Sequence, residues 1–232
     1  MNITNKTILI TGASDGIGRA IAIAASMHNV NLILFGRDEA KLHDVQSICE
    51  SNGSKATVYA FDMTDNTALD AAVQSIKAVG VVDIIVNNAG IWHKSTSVGE
   101  LSPETIESVI STNLTAQILL TRHFIDDMKD RETAIINIIS SAGMEGRAGR
   151  AAYAASKFGM RGFTEVLREE TKENPIRIGA VFQGGINTQM FAKADEDMPT
   201  QKYSEPDDLA DVVLYMLTRP PKLWLSEVRV TY

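Results

Sequence analysis

Tyr153 and Lys157 are separated by four positions, a spacing at which two polar side chains can carry out proton transfer. Four residues of an α-helix advance about 6 Å and return to nearly the same face, so both side chains would point into one site. A tyrosine with an unperturbed pKa of about 10 is a poor base at neutral pH. Because a nearby ammonium favours the phenolate, we expect Lys157 to lower the pKa of Tyr153 into a useful range.

A glycine-rich segment follows the first predicted strand and opens the first predicted helix in the order Gly-x-x-x-Gly-x-Gly. This order differs from the commoner G-x-G-x-x-G fingerprint. Glycine lets the main chain approach a ligand closely, and the N–H groups of a helix start can hold a pyrophosphate. A glycine-rich turn without a ligand is the alternative. The residues expected at this phosphate site are Gly12, Ser14, Asp15, Gly16, Ile17 and Gly18.

The second predicted strand ends at Phe35 and is followed directly by Gly36, Arg37 and Asp38. In a dinucleotide fold this position faces the adenine ribose, where an acid binds the 2′-hydroxyl of NAD and an arginine binds the 2′-phosphate of NADP. Arg37 therefore favours NADP(H) over NAD(H). Two alternatives stay open. Arg37 is an ordinary solvated cation beside a helix that Asp38 caps, or Asp38 itself binds the ribose and favours NAD(H).

Three later motifs complete a pattern. Asn87-Asn88-Ala89-Gly90 ends the fourth predicted strand, Ser140 ends the fifth, and Tyr153 with Lys157 begins a long helix. Together with the glycine segment, these motifs resemble the short-chain dehydrogenase/reductase (SDR) family over essentially the whole chain. The resemblance implies an enzyme that transfers a hydride between the nicotinamide of NADP(H) and a carbonyl or alcohol carbon of a small molecule.

The resemblance also implies roles for four residues. Tyr153 would give or take the proton, Lys157 would also hydrogen-bond the nicotinamide ribose, and Ser140 would anchor the substrate oxygen. Counting back from Tyr153 selects Ser140 over Ser141, and neighbouring strand side chains point to opposite faces. Asn113 would disturb its helix, hold a water and feed a proton relay through Lys157. An asparagine satisfied by local hydrogen bonds is the alternative.

Further residues would hold the cofactor, as the same resemblance implies. Asp62, beside Met63, corresponds to an adenine-contacting aspartate, and a turn aspartate that caps the following helix is the alternative. Gly90 would let the backbone pass close to the cofactor, and Asn87 would bridge strands beneath it. The remaining residues expected at the cofactor are Asn88, Ala89, Gly184, Ile186 and Thr188.

The substrate side departs from the family pattern. Gln183 replaces the usual proline, so its loop loses a fixed φ angle and gains an amide that either meets substrate or satisfies backbone. Residues 189–203, which include Met190 and Phe191, are interpreted as a mobile lid, with a plain surface loop as the alternative. For His93 the pattern favours a solvent-exposed loop residue over a catalyst. The other residues that could line the pocket are Trp92 and Met144.

These residues need a scaffold, and the rest of the sequence indicates one. Short apolar runs are predicted as strands at residues 7–10, 31–35, 56–60, 83–86, 134–139, 177–181 and 228–231. Helical patterns alternate with them at residues 17–28, 39–51, 68–78, 104–128, 153–173 and 207–217. Such alternation implies right-handed βαβ units. We expect an α/β Rossmann fold in one domain, residues 1–232, with a doubly wound parallel sheet of about seven strands and helices on both faces.

Bulk composition restricts the function classes. The 232-residue chain has a formal net charge of −7, so we expect no nucleic-acid or membrane partner. Cys49 is its single cysteine, and the four histidines show no paired ligand spacing, so no metal site is expected. The chain shows no signal-like start and no apolar run of membrane-spanning length, so a cytoplasmic location is the simplest interpretation.

Two alternative functions are disfavoured, and an oligomer is expected. A catalytically idle NADP-binding sensor is disfavoured by the intact set of proton-transfer residues. An epimerase or dehydratase that recycles its cofactor is disfavoured because the compact chain offers no extra substrate domain. The resemblance also implies a homodimer or homotetramer, in which the helices predicted at 104–128 and 153–173 pair across a two-fold axis.

Overall fold

The computed structural model describes residues 1–220 and 222–231, and they contain one sheet of seven parallel strands. The strand order is β3-β2-β1-β4-β5-β6-β7. The strands are β1 (Thr7–Thr11), β2 (Asn31–Gly36), β3 (Lys55–Ala60), β4 (Ile84–Asn87), β5 (Ala134–Ile138), β6 (Arg177–Gln183) and β7 (Glu227–Val230). The predicted doubly wound α/β fold is confirmed.

Helices cover both faces of the sheet, which explains why the strands are apolar throughout. Ile8 and Ile10 of β1 belong to one core with the first and last helices, whereas Leu9 belongs to the core on the opposite face. The helices are α1 (Gly16–Ser26), α2 (Glu39–Ser51), α3 (Asn66–Val79), α4 (Pro103–Ile110), α5 (Ala116–Met128), α6 (Ala151–Glu170) and α7 (Pro206–Thr218). No helix in the described part of the chain is long and apolar enough to cross a membrane.

One predicted helix is wrong. The stretch expected to be continuous over residues 104–128 is divided into α4 and α5 by a π-helical turn at Ser111–Thr115. Asn113 lies inside that turn, and its amide bonds the backbone of Ile91 in both directions. A wider turn of this kind is frequent at functional sites.

The strand order reverses beside β1, since β2 lies on one side of it and β4 on the other. In open α/β sheets a ligand crevice forms at the carboxyl ends of the strands at such a switch point. Residues 189–203 follow β6 and include two short 3₁₀ turns, Ala192–Ala194 and Thr200–Lys202. They lie over the same end of the sheet, because Met190 and Lys193 line the crevice.

Candidate active site

The glycine segment makes a tight turn between β1 and α1. Gly12 and Gly16 have φ angles of 66° and 51°, which glycine adopts without strain. A side-chain carbon on Gly12 would lie 3.0 Å from the Cα of Ala89 and 3.0 Å from Nδ2 of Asn88. The missing side chain therefore lets the positive end of α1 lie against the loop that follows β4, as a phosphate-binding turn requires.

Gly18 serves packing rather than ligand contact. It is buried, and a side-chain carbon there would lie 2.2 Å from the carbonyl oxygen of Gly12. Its position keeps α1 close to the turn, so we infer that its part in cofactor binding is indirect.

A cleft of about 480 Å³ opens at the switch point. It runs from the tip of β2, past the glycine turn, to the loop that follows β4. The predicted cofactor and substrate residues that line it are Gly12, Ser14, Asp15, Gly16, Ile17, Arg37, Asp62, Met63, Asn88, Ala89, Gly90, Trp92, Thr188 and Met190.

At the far end of the cleft Arg37 lies beside Asp62, with 3.8 Å between Nη1 and the carboxylate. The Asp62 carboxylate also accepts hydrogen bonds from the backbone and hydroxyl of Thr64. Asp38 caps α2 by accepting from the backbone N–H of Lys41. The Lys41 side chain lines this end too, a residue that the sequence interpretation missed.

Asp15 connects the glycine turn to the segment after β6. Its carboxylate caps α1 by accepting from the N–H of Gly16 at 2.8 Å, and it pairs with Lys193 at 2.8 Å and Lys41 at 3.5 Å. Burial favours the neutral acid, but the bonds from Lys193 and Gly16 outweigh it and lower the pKa of Asp15. Lys193 was not predicted, because its partner lies 178 positions away.

The predicted proton-transfer residues converge at the end of β5. The side chains of Ser140 and Tyr153 lie within hydrogen-bonding reach of each other. Nζ of Lys157 lies 5.7 Å from the centre of the Tyr153 ring and donates to the carbonyl of Ile138 at 3.2 Å. A side-chain carbon on Gly90 would lie 3.7 Å from that Nζ, so the cleft and this group adjoin.

Asn113 is buried, and both the oxygen and the nitrogen of its side-chain amide form hydrogen bonds. Its carbonyl oxygen accepts from the N–H of Ile91 at 2.7 Å, while its amide nitrogen donates to the carbonyl of Ile91 at 2.9 Å and to Ser156 at 3.2 Å. These contacts fix the loop after β4 to the π-helical turn. The helix is disturbed at Asn113 as expected, the amide is satisfied by residues distant in sequence rather than locally, and the proton relay stays a prediction.

The pKa shifts of Tyr153 and Lys157 differ from the prediction. Burial raises the pKa of Tyr153, against the opposing effects of the Ser140 hydrogen bond and the Arg150 charge. Burial also lowers the pKa of Lys157 to about 8. The expected lowering of the Tyr153 pKa by Lys157 is not found in the structure, because desolvation dominates and the cation that acts on the phenol is Arg150.

Aromatic rings close over this group. The Trp92 ring contacts Tyr153 with 4.5 Å between ring centres and Phe191 with 5.1 Å. Met190 packs against the same cluster. The structure thus brings together three predicted substrate residues with Tyr153.

The other three predicted substrate residues behave differently. His93 is buried, which corrects the expectation of an exposed side chain, and its Nδ1 lies 2.9 Å from the carbonyl of Lys94. Met144 packs on the neighbouring apolar cluster that contains Phe182 rather than on Trp92. Gln183 is buried at the end of β6, and its Oε1 has no hydrogen-bond partner among the described residues.

Glu196 is a further residue that the sequence did not single out. Its carboxylate accepts from the indole N–H of Trp92 and from the backbone and hydroxyl of Ser95, the latter at 2.7 Å. Burial would raise the pKa of Glu196, but these hydrogen bonds outweigh burial and lower it. Residues 189–203 are therefore attached to the loop after β4 by a charged group.

The loop after β6 contributes one cleft residue out of three predicted. Thr188 lines the cleft, and its methyl would lie 3.0 Å from a side-chain carbon on Gly16. Ile186 is buried in the core that contains α1 and α7, and the N–H of Gly184 donates to the carbonyl of Val230. Both therefore position the loop.

These features fit a bound dinucleotide. The positive-φ glycines allow a tight turn that packs closely on Ala89 and Thr188, and the cleft runs from Arg37 past this turn to Gly90. Gln183 lies outside the lining of this cleft, so its unpartnered Oε1 carries no argument for the cofactor. The residues present thus fit a dinucleotide whose phosphates lie at the glycine turn.

Comparison with known proteins agrees with this geometry. The short chain dehydrogenase family matches residues 6–199. A 3-oxoacyl-[acyl-carrier-protein] reductase of Chlamydia muridarum is 32% identical over 225 residues, covering 92% of this chain and 90% of the relative. A short chain dehydrogenase structure from Shigella flexneri, complexed with NADP, is 29% identical with a TM-score of 0.89 and covers 99% of this chain and 98% of its own.

A 3-oxoacyl-[acyl-carrier protein] reductase of Brucella melitensis with bound NAD is 28% identical with a TM-score of 0.86, covering 99% of this chain and 90% of its own. The family match spans β1 through β6, and with them the glycine turn, Ser140, Tyr153 and Lys157. The chain therefore belongs to the short-chain dehydrogenase/reductase family and is an oxidoreductase of that family.

Proposed function

We propose that the protein is an NADP(H)-dependent oxidoreductase acting on a carbonyl or alcohol carbon of a small molecule. The observation that carries the cofactor choice is the far end of the cleft. Arg37 and Lys41 both line it, and the carboxylate of Asp38 is occupied in capping α2. Two cations without a free ribose-binding acid at the tip of β2 favour a 2′-phosphate. The related structures hold NADP in one case and NAD in another, so the preference rests on these residues.

The proton-transfer residues suit reduction of a carbonyl. Ser140 donates a hydrogen bond to the substrate oxygen, and Tyr153 delivers the proton as negative charge develops there. Because burial raises the pKa of Tyr153, the phenol is protonated at neutral pH and ready to act as an acid. Lys157 holds the ribose and replaces the lost proton, with Asn113 fixing the neighbouring loop. The bound cofactor supplies the hydride.

The first experiment is a titration with NADPH and NADH, followed by a panel of ketones. We expect NADPH to bind at least tenfold more tightly, since a charge-assisted hydrogen bond contributes about 1.5–3 kcal/mol. Arg37→Gln should remove most of this preference and leave NADH binding unchanged. Equal affinity of the wild-type protein for the two cofactors would contradict the cofactor assignment.

The same panel tests the chemistry. Tyr153→Phe should reduce turnover by about 10²–10⁴-fold while NADPH binding is retained, because only the proton donor is removed. Tyr59→Phe, a change on the edge strand β3, is the matched control. Tight NADPH binding without turnover of any ketone by the wild-type protein would favour the sensor over the enzyme.

A further inference from the structure

Arg150 has a charge that the proposed reaction does not use. It directly precedes α6 and lies three positions before Tyr153. Residues three apart lie on the same side of a helix, so the two side chains are on one side of α6. Its side chain is partly buried rather than freely solvated. No ion pair or side-chain hydrogen bond joins its guanidinium to any residue in the described part of the chain.

A cation–π contact holds the guanidinium over the Trp92 ring. Cζ of Arg150 lies 5.1 Å from the centre of the Trp92 ring, and that ring contacts Tyr153 at 4.5 Å. A cation–π contact does not use the N–H donors of a guanidinium for hydrogen bonds, so they stay available to another partner. Those donors form a fork that matches the two oxygens of a carboxylate.

The carboxylate of the nearby Glu196 does not accept hydrogen bonds from these N–H donors of Arg150. Glu196 is influenced by the Arg150 charge, but its oxygens accept from Trp92 and Ser95. The Arg150 charge also partly opposes the burial that raises the pKa of Tyr153, in keeping with its position beside the Trp92 ring that contacts this phenol. A cation with free donors therefore lies one indole ring away from the expected carbonyl position.

We infer that Arg150 is a specificity-determining residue that binds a carboxylate of the substrate, so that the substrate is a short keto acid or hydroxy acid. The inference rests on the proposed function. Since Arg150 and Tyr153 contact the same indole, the carboxylate lies a few bonds from the carbonyl carbon. A neutral ketone of the same length lacks the group that Arg150 binds.

The test compares acetoacetate with its methyl ester, which differ in the negative charge. For wild-type protein with NADPH we expect kcat/KM to be at least tenfold higher for the acid. Arg150→Gln should lower kcat/KM for the acid by about ten- to hundredfold more than for the ester. Any change in the Tyr153 pKa affects both ketones equally, so the acid-to-ester ratio isolates anion binding. Arg150→Lys should restore part of the ratio.

The control is Arg147→Gln, which removes an exposed arginine of the same loop. It should leave the acid-to-ester ratio unchanged. An equal loss for acid and ester in Arg150→Gln, or a wild-type protein that reduces the ester as well as the acid, would overturn the inference and leave the proposed function intact. If NADPH does not bind and no ketone is reduced, the proposed function fails and the inference fails with it.

A binding measurement does not depend on turnover. Calorimetric titration of butyrate into wild-type protein saturated with NADP⁺ should give heat, and butyramide should give none. Arg150→Gln should abolish the butyrate signal and retain NADP⁺ binding. Butyrate and butyramide that bind equally, or not at all, would overturn the inference.

Discussion

At the scale of single residues, the site contains two groups in unfavourable environments. Ser140 has a φ of 128°, which a residue with a side chain rarely adopts, and Lys157 holds its ammonium in a buried position. Strain and desolvation of this kind persist where the surrounding structure enforces them, and they concentrate at functional sites. The two residues occupy positions expected from the sequence, but their environments come only from the folded chain.

The buried lysine gives a stability prediction. Because the pKa of Lys157 falls from 10.5 to about 8 on folding, the folded state binds fewer protons than the unfolded state between these values. Stability therefore rises with pH across this window, and below it the lysine destabilises the protein. Lys157→Met should raise the Tm of the ligand-free protein at pH 7 by roughly 2–6 °C, with the gain shrinking toward pH 10.5.

Differential scanning fluorimetry at a series of pH values measures this effect. Lys172→Met, at an exposed lysine just beyond α6, is the control and should leave the Tm nearly constant. A Lys157→Met protein that is no more stable than wild type at pH 7 would show that the ammonium is better solvated than its burial indicates.

At the scale of elements, apolar patterns in the sequence predicted the strands and most helices, because these elements depend mainly on local interactions. Strands buried on both faces produce apolar runs, and the predicted strands recur within one to two residues at most boundaries. The π-helical turn was missed because its Asn113 bonds Ile91, 22 positions earlier, and such a distant contact leaves no local sequence signal. Lys193 and Glu196 were missed for the same reason, since their partners are distant in sequence.

The segment at residues 189–203 gives a prediction at this scale. Glu196→Ala removes the acceptor for Trp92 and Ser95, so the segment should detach more often from the loop after β4. We expect the KM for the carbonyl substrate to rise about tenfold with a smaller change in kcat, as for loss of a substrate-enclosing contact. Asp197→Ala, at an exposed neighbour, should behave as wild type. An unchanged KM would assign the segment to a plain surface loop.

At the scale of the whole molecule, the cleft lies at the carboxyl ends of the strands, and exposed apolar side chains of α6 lie outside its lining. Phe158 and Val166 of α6 are 42% and 54% exposed, although both are apolar. Their helix is one of the two that the family resemblance implied in a two-fold contact. We therefore propose a homodimer or homotetramer that covers this face.

Light scattering after size exclusion tests the assembly. Phe158→Glu should shift the protein to a smaller species, since a buried unpaired carboxylate disrupts an apolar contact. Val79→Glu, at an exposed residue that ends α3, should keep the wild-type size. A monomeric wild-type protein at micromolar concentration would contradict the proposed assembly.

The ion pair between Asp15 and Lys193 has a consequence for ligand entry. Asp15 lies at the turn where a pyrophosphate would bind, and its carboxylate already pairs with both Lys193 and Lys41. The Asp15 carboxylate thus already places a negative charge beside these lysines, as the phosphate of the ligand would. We therefore expect cofactor binding to exchange counter-ions around the two lysines, with the incoming phosphate displacing the Asp15 carboxylate. We expect such an exchange to reduce the salt dependence of binding, because few mobile ions are released.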